Sequence, residues 1–501
     1  MLAMCAACYA LMAVIASTPP SKHDDLWYHL VLAKRTVVEG VMRFHPSPFL
    51  LTAPQHSYSS SLVPLLTFGK PSAALALGVL WSLVFVWCFW ERASRRSAKR
   101  AAIGTTILVC AFGNFVWWTS ASSTVLAAFV STFLLLWIVE RESLRSGLRI
   151  AEYFGVLGTL SAALCVTKIS FLPPVALLLG AAWYEELRSE PSLRTLLTAA
   201  LWTGLPLVLL YAPWLWWSYS ASGNPFGIAL LSVFGSTVFD PSRLQAFLES
   251  ARRATQLHAP REVLSVVLQT HLLHLAFVFV AGVLVFIRTR RWAVLFAALA
   301  GSVILALSVT HDLRFHSIVV YGFLLVAVIW YEPPRSIAVT RLLPSIVAGL
   351  TVPTLAAGAY YGASFMRNAA GLQTDAEFLT RYTGMYPVVE WCNANLPPAA
   401  GVCLDVHALP RLFHFDRLAL SPEHLTTQEV ADRFDLPAYM VRNGLSYLVS
   451  TNGDRAAGGR FVLTKRFDNC ILEGLRSPGA TPAVGTVYVY RLAADGGFDS
   501  K

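Results

Sequence analysis

Apolar runs of roughly membrane-spanning length, about 17 to 25 residues, dominate this chain and leave little choice of architecture. They fall near 1–17, 71–90, 101–118, 121–139, 152–167, 171–187, 195–217, 269–287, 292–310, 315–331 and 342–361. Read as spans they number about eleven, with 101–139 and 153–187 the hardest stretches to divide. Only 14% of the 501 residues are charged, whereas soluble domains carry about 25%. The chain therefore reads as a polytopic α-helical membrane protein, which excludes soluble, disordered and fibrous classes.

The net charge of +10 would suggest nucleic acid in a soluble protein, but its distribution argues otherwise. Residues 1–361 hold 26 Lys/Arg against 15 Asp/Glu, and residues 362–501 hold 13 against 14. The excess belongs to the membrane part and follows topology. Alternate gaps, 91–100, 140–149, 185–194, 288–291 and 332–341, carry 15 Lys/Arg. The opposite short gaps, near 119–123, 168–170 and 311–314, carry only Lys168 and Arg314. The positive-inside rule puts the basic gaps in the cytoplasm. With an odd number of spans the N-terminus is cytoplasmic, as a retained anchor, and the C-terminal part is outside.

Two outer stretches, 18–70 and 218–268, are too long to be connectors. Leu26, Leu30, Ala33 and Val37 recur at helical spacing, which predicts an amphipathic helix along the membrane surface. From about 375 the composition becomes that of a soluble α/β domain. DAEFLTRYTGMYPVVEWCNANLPP reads as a helix ended by its prolines, and GVCLDV, LSYLVST and TVYVYRL as strands. TTQEVADRFDLPAYMVRNG reads as a helix with a threonine cap and a closing glycine. The expected domains are thus 1–361 in the membrane, with outer loops 18–70 and 218–268, and 375–501 outside. Cys5, Cys8, Cys88, Cys110 and Cys165 fall in spans as packing residues. Of the outer cysteines, Cys403 and Cys470 are the expected disulfide pair.

Charge on the side that topology does not favour marks the chemistry. A helix beginning at Asp25 needs one cap, and Asp24 supplies it. The second carboxylate, with His29 one turn on, exceeds that need, so one of the pair can accept a proton from a substrate hydroxyl. Lys168 and Arg314 close short outer turns. Lys168 would either snorkel to the interface or bind a phosphate, and Arg314 would either pair with Asp312 or bind the same phosphate. His56 and Tyr58 either line a sugar site or are ordinary interface aromatics, and His311 beside Arg314 would join such a lining. His311 and His316 lack the cysteine or carboxylate cluster of a defined zinc site, so a divalent metal is compatible but not required. No Walker loop, G-x-G-x-x-G before a helix, or G-x-S-x-G occurs.

These residues resemble the C-type glycosyltransferases. The resemblance rests on the acidic pair after the first span (Asp24, Asp25) and on Thr167-Lys168 at the outer end of a middle span. It rests also on Gly-Asn-Pro-Phe at 223–226, on Arg314-Phe315 opening a late span, and on Val-Val-Glu-Trp…Asn-Leu-Pro-Pro at 388–398. Order and sidedness are closest to the bacterial protein-O-mannosyltransferase and aminoarabinose-transferase branch. The absence of a W-W-D-Y-G run argues against peptide N-glycosylation. The resemblance implies a helical bundle with an outer catalytic cavity and a soluble domain. It further implies a sugar donor on a polyprenyl phosphate, a glycan, lipid or protein acceptor, no nucleic acid, and inverting transfer on the outer face of the inner membrane. Asp24 or Asp25 would be the base, and Lys168 and Arg314 would hold the donor phosphate. A transporter or flippase of a polyprenyl-linked glycan or other lipid is the alternative, weakened by the missing half-to-half symmetry. A non-catalytic assembly subunit is a third class.

Overall fold

The computed structural model describes residues 2–22, 26, 29–41, 56–110, 114, 118–226, 231–235, 272–308, 316–330, 337–405, 413–420, 435–472 and 482–493. A helix lies on each of the eleven apolar runs. Among the described residues, Ser72–Ser94, Ile150–Thr167 and Leu193–Ser222 are long and apolar enough to cross a membrane. Ala3–Ala16, Thr124–Val139, Phe279–Arg288, Trp292–Leu305 and Ile318–Trp330 are shorter apolar helices. The chain separates into two compact units. The first comprises Met1–Ala16, Leu75–Ala221 and Thr255–Gly362, and the second Ser17–Ala74, Ser222–Ala254 and Ala363–Lys501.

In the first unit apolar faces pack through two clusters. One gathers around Tyr153, Phe154, Phe171, Phe286 and Phe323, the other around Phe85, Phe89, Trp118 and Tyr321. Helices in lipid gain little from apolar burial as such, so small residues that let backbones approach carry the packing. A Cβ added at Gly158 would lie 2.8 Å from the Thr203 Cα, and one at Gly301 would lie 2.8 Å from the Pro174 Cα.

Ion pairs gather four of the basic gaps at one end of this unit. Arg141 Nε meets Glu186 Oε2 at 2.8 Å and Arg145 meets its other oxygen at 3.3 Å. Arg291 reaches Glu185 at 2.6 Å and Glu142 at 3.1 Å. Arg92 Nε donates to Glu140 at 3.1 Å. Glu186 is 1% exposed, so its charge is tolerated only because two guanidinium groups satisfy it.

The second unit is built on a five-stranded sheet in the order β2-β1-β3-β5-β4. The strands are β1 (Gly401–Asp405), β2 (Ala419–Leu420), β3 (Leu445–Ser450), β4 (Phe461–Ile471) and β5 (Val484–Leu492). β1 runs parallel to β2 and β3, while β5 is antiparallel to β3 and β4. Cys403, Leu436, Met440, Leu448 and Tyr490 form its core. The three expected strands are β1, β3 and β5. β2 and β4 were not expected.

Three other expectations are revised or limited here. The single helix expected from 375 is two, Asp375–Tyr382 and Tyr386–Asn395. Between them Gly384 and Met385 take φ of 69° and 43°, and the Met385 N–H donates to the Ile471 carbonyl instead of continuing the helix. The second expected helix is described as Leu436–Arg442, with Asp435 as its cap; the expected threonine cap and the segment after it lie outside the described residues. The Cys403–Cys470 disulfide does not form, since both thiols are free. Cys403 is on β1 and Cys470 on β4, with β3 and β5 between. Three strand spacings of about 4.8 Å separate them by about 14 Å, twice the Cα distance of about 7 Å that a disulfide spans.

Candidate functional site

Lys168 stands where two helices of the first unit turn. The Ile150–Thr167 helix starts beside the ion-paired gap, and its 18 residues rise about 27 Å to Lys168. The Leu172–Ser189 helix then returns to Glu185 and Glu186. Lys168 itself is extended, with φ −158° and ψ 111°. Its N–H donates to the Leu164 carbonyl at 2.9 Å, and its own carbonyl accepts from Phe171 at 3.0 Å. Proline in the first turn of the returning helix suits positions that need no N–H. The turn is therefore fixed by backbone hydrogen bonds.

That side chain does not snorkel. A snorkelling lysine keeps its ammonium in water, whereas Lys168 is 7% exposed. Thr167 before it and Ser170 two residues after it carry hydroxyls. Thr167 Oγ1 donates to the Ala163 carbonyl at 2.7 Å, and the Ser170 hydroxyl is buried with no hydrogen-bond partner among the described residues. A buried ammonium demands acceptors or an anion.

The Thr124–Val139 helix packs along the Ile150–Thr167 helix and meets the ion-paired end at Glu140, so Thr124 is at the far end, with Lys168. The turn before it is not a solvated loop. Thr119, Ser120, Ser122, Ser123 and Thr124 are all at most 5% exposed. Ser122 Oγ donates to Thr124 Oγ1 at 3.0 Å. Further along, Ser131 and Ser317 share a hydrogen bond of 2.8 Å. Sequence reasoning missed this hydroxyl-lined region. Its signal was the small polar run TSASST at 119–124, which looks like a surface turn unless its burial is known.

In the second unit the structure brings His29 and Tyr58 together. His29, 2% exposed, has Nδ1 3.4 Å from Ser59 Oγ and sits edge-on to Tyr58, with ring centroids 5.8 Å apart. The Leu30–Glu39 helix follows and closes at Gly40, whose φ of 66° suits a residue without a side chain. Of its expected apolar face, Leu26, Leu30 and Ala33 are buried and Val37 is half-buried. His56 opens the His56–Ser61 helix. Asp24, Asp25, His311 and Arg314 lie outside the described residues. The Gly-Asn-Pro-Phe motif forms an Asx turn, Asn224 Oδ1 accepting from the Phe226 N–H at 2.9 Å, with Gly223 at φ 72°.

Two cations of the Leu30–Glu39 helix were not foreseen. Lys34 Nζ donates to the carbonyls of Phe413 and Phe415, both at 2.9 Å, and to Asp416 at 3.3 Å. Arg35 donates to the Ala419 carbonyl on β2 at 2.8 Å. Burial pushes the Lys34 ammonium below its ordinary range, and Asp416 pulls it back up. Burial, helped by the Lys34 charge, pushes His414 down to about 3, so this imidazole is neutral at pH 7. Among the described residues no group of three His, Cys, Asp or Glu side chains is arranged to hold a metal.

No protein-family pattern matches this chain, and no curated protein resembles it in sequence. Its fold is similar to that of ArnT, an aminoarabinose transferase, from Cupriavidus metallidurans. The apo crystal structure of that protein matches with a TM-score of 0.57 at 12% identity, covering 98% of this chain and 97% of the other. The structure bound to undecaprenyl phosphate matches with a TM-score of 0.54 at 13% identity, over 98% of each. At these identities the likeness is one of fold. The expected mostly helical body with a small C-terminal sheet is observed, and it is like that of the ArnT structures; among the described residues three helices are long and apolar enough to cross a membrane, against the eleven spans expected.

Proposed function

We propose that the chain is a membrane glycosyltransferase that moves a hexosyl or pentosyl group from a polyprenyl phosphate to an acceptor hydroxyl, with inversion, on the outer face of the inner membrane. The observation that carries this reading is the buried Lys168, at the end of its unit opposite the ion pairs. It occurs on a fold shared with ArnT, one of whose structures holds undecaprenyl phosphate. A lipid phosphate suits such a lysine. Its tail remains in hydrocarbon while its charge meets a cation at a span end, and ionisable residues placed within membrane spans commonly mark such functional sites.

In this reading Lys168 and Arg314 hold the donor phosphate, whose charge grows as the sugar–phosphate bond breaks. Asp24 or Asp25 takes the acceptor proton, so a single displacement needs no protein-bound intermediate. His29, His56, Tyr58 and His311 contact the sugar or acceptor. The apolar helices all cross, as eleven spans, with the N-terminus inside. Residues 1–361 form the membrane domain and 375–501 the outer one. Joining the four basic gaps through ion pairs at a single end of the first unit supports the sidedness.

The test is transfer in proteoliposomes from a synthetic undecaprenyl-phosphate sugar. The expected result is sugar-dependent release of free undecaprenyl phosphate. Movement of intact labelled lipid between leaflets without cleavage would favour the flippase instead. Labelling of Ser500→Cys in intact cells by an impermeant maleimide checks the topology. Labelling only after permeabilisation would reverse it.

A further inference from the structure

The second unit contains a connection that the proposed chemistry does not by itself require. Lys34 and Arg35 are consecutive residues on the Leu30–Glu39 helix. Between them they take hold of a segment about 380 residues away in sequence, on the approach to β2. Lys34 uses two of its three N–H donors on backbone carbonyls and a third on Asp416. Its ammonium also lies 5.3 Å from the centre of the Phe413 ring. Hydrogen bonds from a charged donor are roughly twice as strong as neutral ones, and a cation over an aromatic face adds to them when partly desolvated.

The segment being held is itself stiff. Asn393 Nδ2 donates to the His414 carbonyl at 2.9 Å, and Asn393 Oδ1 accepts from the Asp416 N–H at 3.1 Å. Arg417 donates to the carbonyls of Pro397 and Asn393 at 2.7 and 3.0 Å. The His414 ring stands edge-on to Tyr386. The chain from 413 to 419 is thereby tied to the Tyr386–Asn395 helix and to the sheet, and Lys34 and Arg35 dock onto a fixed object.

At the start of the same docked helix is His29, five residues or about 7.5 Å of helical rise from Lys34. There it meets Ser59 and Tyr58. A helix anchored at its middle cannot rotate or slide at its start without breaking the anchor. We propose that Lys34 and Arg35 are positioning residues. They use the C-terminal sheet as a template to set the orientation of the first-loop helix and of the His29, Tyr58 and Ser59 group at its start. In that role the C-terminal sheet is part of the machinery that aligns the outer loop, not an appendage. The catalytic consequence rests on the glycosyltransferase reading, while the physical coupling does not.

The experiment uses the full chain in lipid nanodiscs, with Lys34→Met, Lys34→Arg and Asp416→Asn, read in two ways. Hydrogen exchange is followed at 30–39 and at 413–420. Lys34→Met should speed exchange about tenfold or more in both segments together, and Lys34→Arg should restore most of the protection. Transfer kinetics from an undecaprenyl-phosphate sugar should show kcat falling about tenfold in Lys34→Met with donor KM within about twofold. Asp416→Asn, which keeps the two carbonyl acceptors, should have the smaller effect on both readouts. Exchange at 413–420 unchanged by Lys34→Met would overturn the coupling. Coupled exchange with unchanged kcat would overturn positioning. If wild-type protein transfers no sugar, the functional reading falls by itself and exchange alone decides the coupling.

Discussion

The two ends of the first unit handle charge in opposite ways. At one end Glu185, Glu186, Glu140 and Glu142 arrive in the same gaps as the arginines and meet them as ion pairs. Each buried carboxylate is matched within the unit, and the network joins four connections. At the other end the turn 168–170 supplies a cation and no acidic residue, and Lys168 is nonetheless 7% exposed. The first pattern is architecture, at the end that the proposed topology places inside. The second is a buried cation in a turn with no acidic residue of its own, and the proposed phosphate contact is built on that placement.

The contrast breaks first, and most widely, at the acidic pair. Replacing both Asp24 and Asp25 with Asn should lower transfer by about 10²- to 10⁴-fold, the usual contribution of a general base. Binding of undecaprenyl phosphate should persist. Full turnover in this variant would remove the base from the first loop altogether.

At the ion-paired end the expected loss is in stability. Glu186→Gln leaves Arg141 and Arg145 without their shared carboxylate, and breaking a buried pair from one side costs about 3–5 kcal/mol. Denaturation in lipid should show this loss, with transfer per folded molecule within about twofold of wild type. Reduced transfer at unchanged stability would mean that this end is not merely architectural. Lys168→Met should give the reverse signature. It should cost less stability than Glu186→Gln, since no carboxylate of its own turn loses a partner. Transfer should fall about tenfold to a hundredfold, corresponding to a charge-assisted contact of about 1.5–3 kcal/mol. A variant that both unfolds and retains specific activity would return Lys168 to a structural role.

How much of this could be read from sequence depended on the range of the interaction. Apolar runs are local, and every expected run carries a helix. The strands around Cys403, Leu448 and Tyr488 were legible because they are short and apolar. β4 was not, because FVLTKRFDNCI exposes most of its side chains and so lacks the alternation that reveals a half-buried strand. The break at Gly384 and Met385 depends on a hydrogen bond to Ile471, a partner 86 residues away. The Cys403–Cys470 expectation failed for the same reason, since strand order is a property of the assembled sheet. Among the candidate residues the sequence picked out Lys168, His29 and Tyr58 one by one, by residue type and placement, without foreseeing that His29 and Tyr58 meet. It had no means of finding the buried hydroxyls of 119–124, or the grip of Lys34 and Arg35 on 413–419. Both are defined by tertiary partners.

The smallest expected effect is also the sharpest test of the Lys168 end. If Lys168 and Arg314 hold one phosphate, each is part of the other's environment. Once the first cation is gone the phosphate sits less firmly, and the second contact is weaker before it is removed. The double variant Lys168→Met with Arg314→Met should then lose less than the two single losses combined. The coupling should be about 0.5–3 kcal/mol, the range found for residues that share a ligand or a network. Cations serving separate purposes, one holding lipid and the other a neighbouring carboxylate, would instead add to within about 0.3–0.5 kcal/mol. The measurement is a double-mutant cycle on binding of undecaprenyl phosphate, repeated at two salt concentrations. A shared buried phosphate should keep its coupling as salt rises, because buried charges are screened much less than exposed ones. Strict additivity at both salt concentrations would leave at most one of the two on the phosphate.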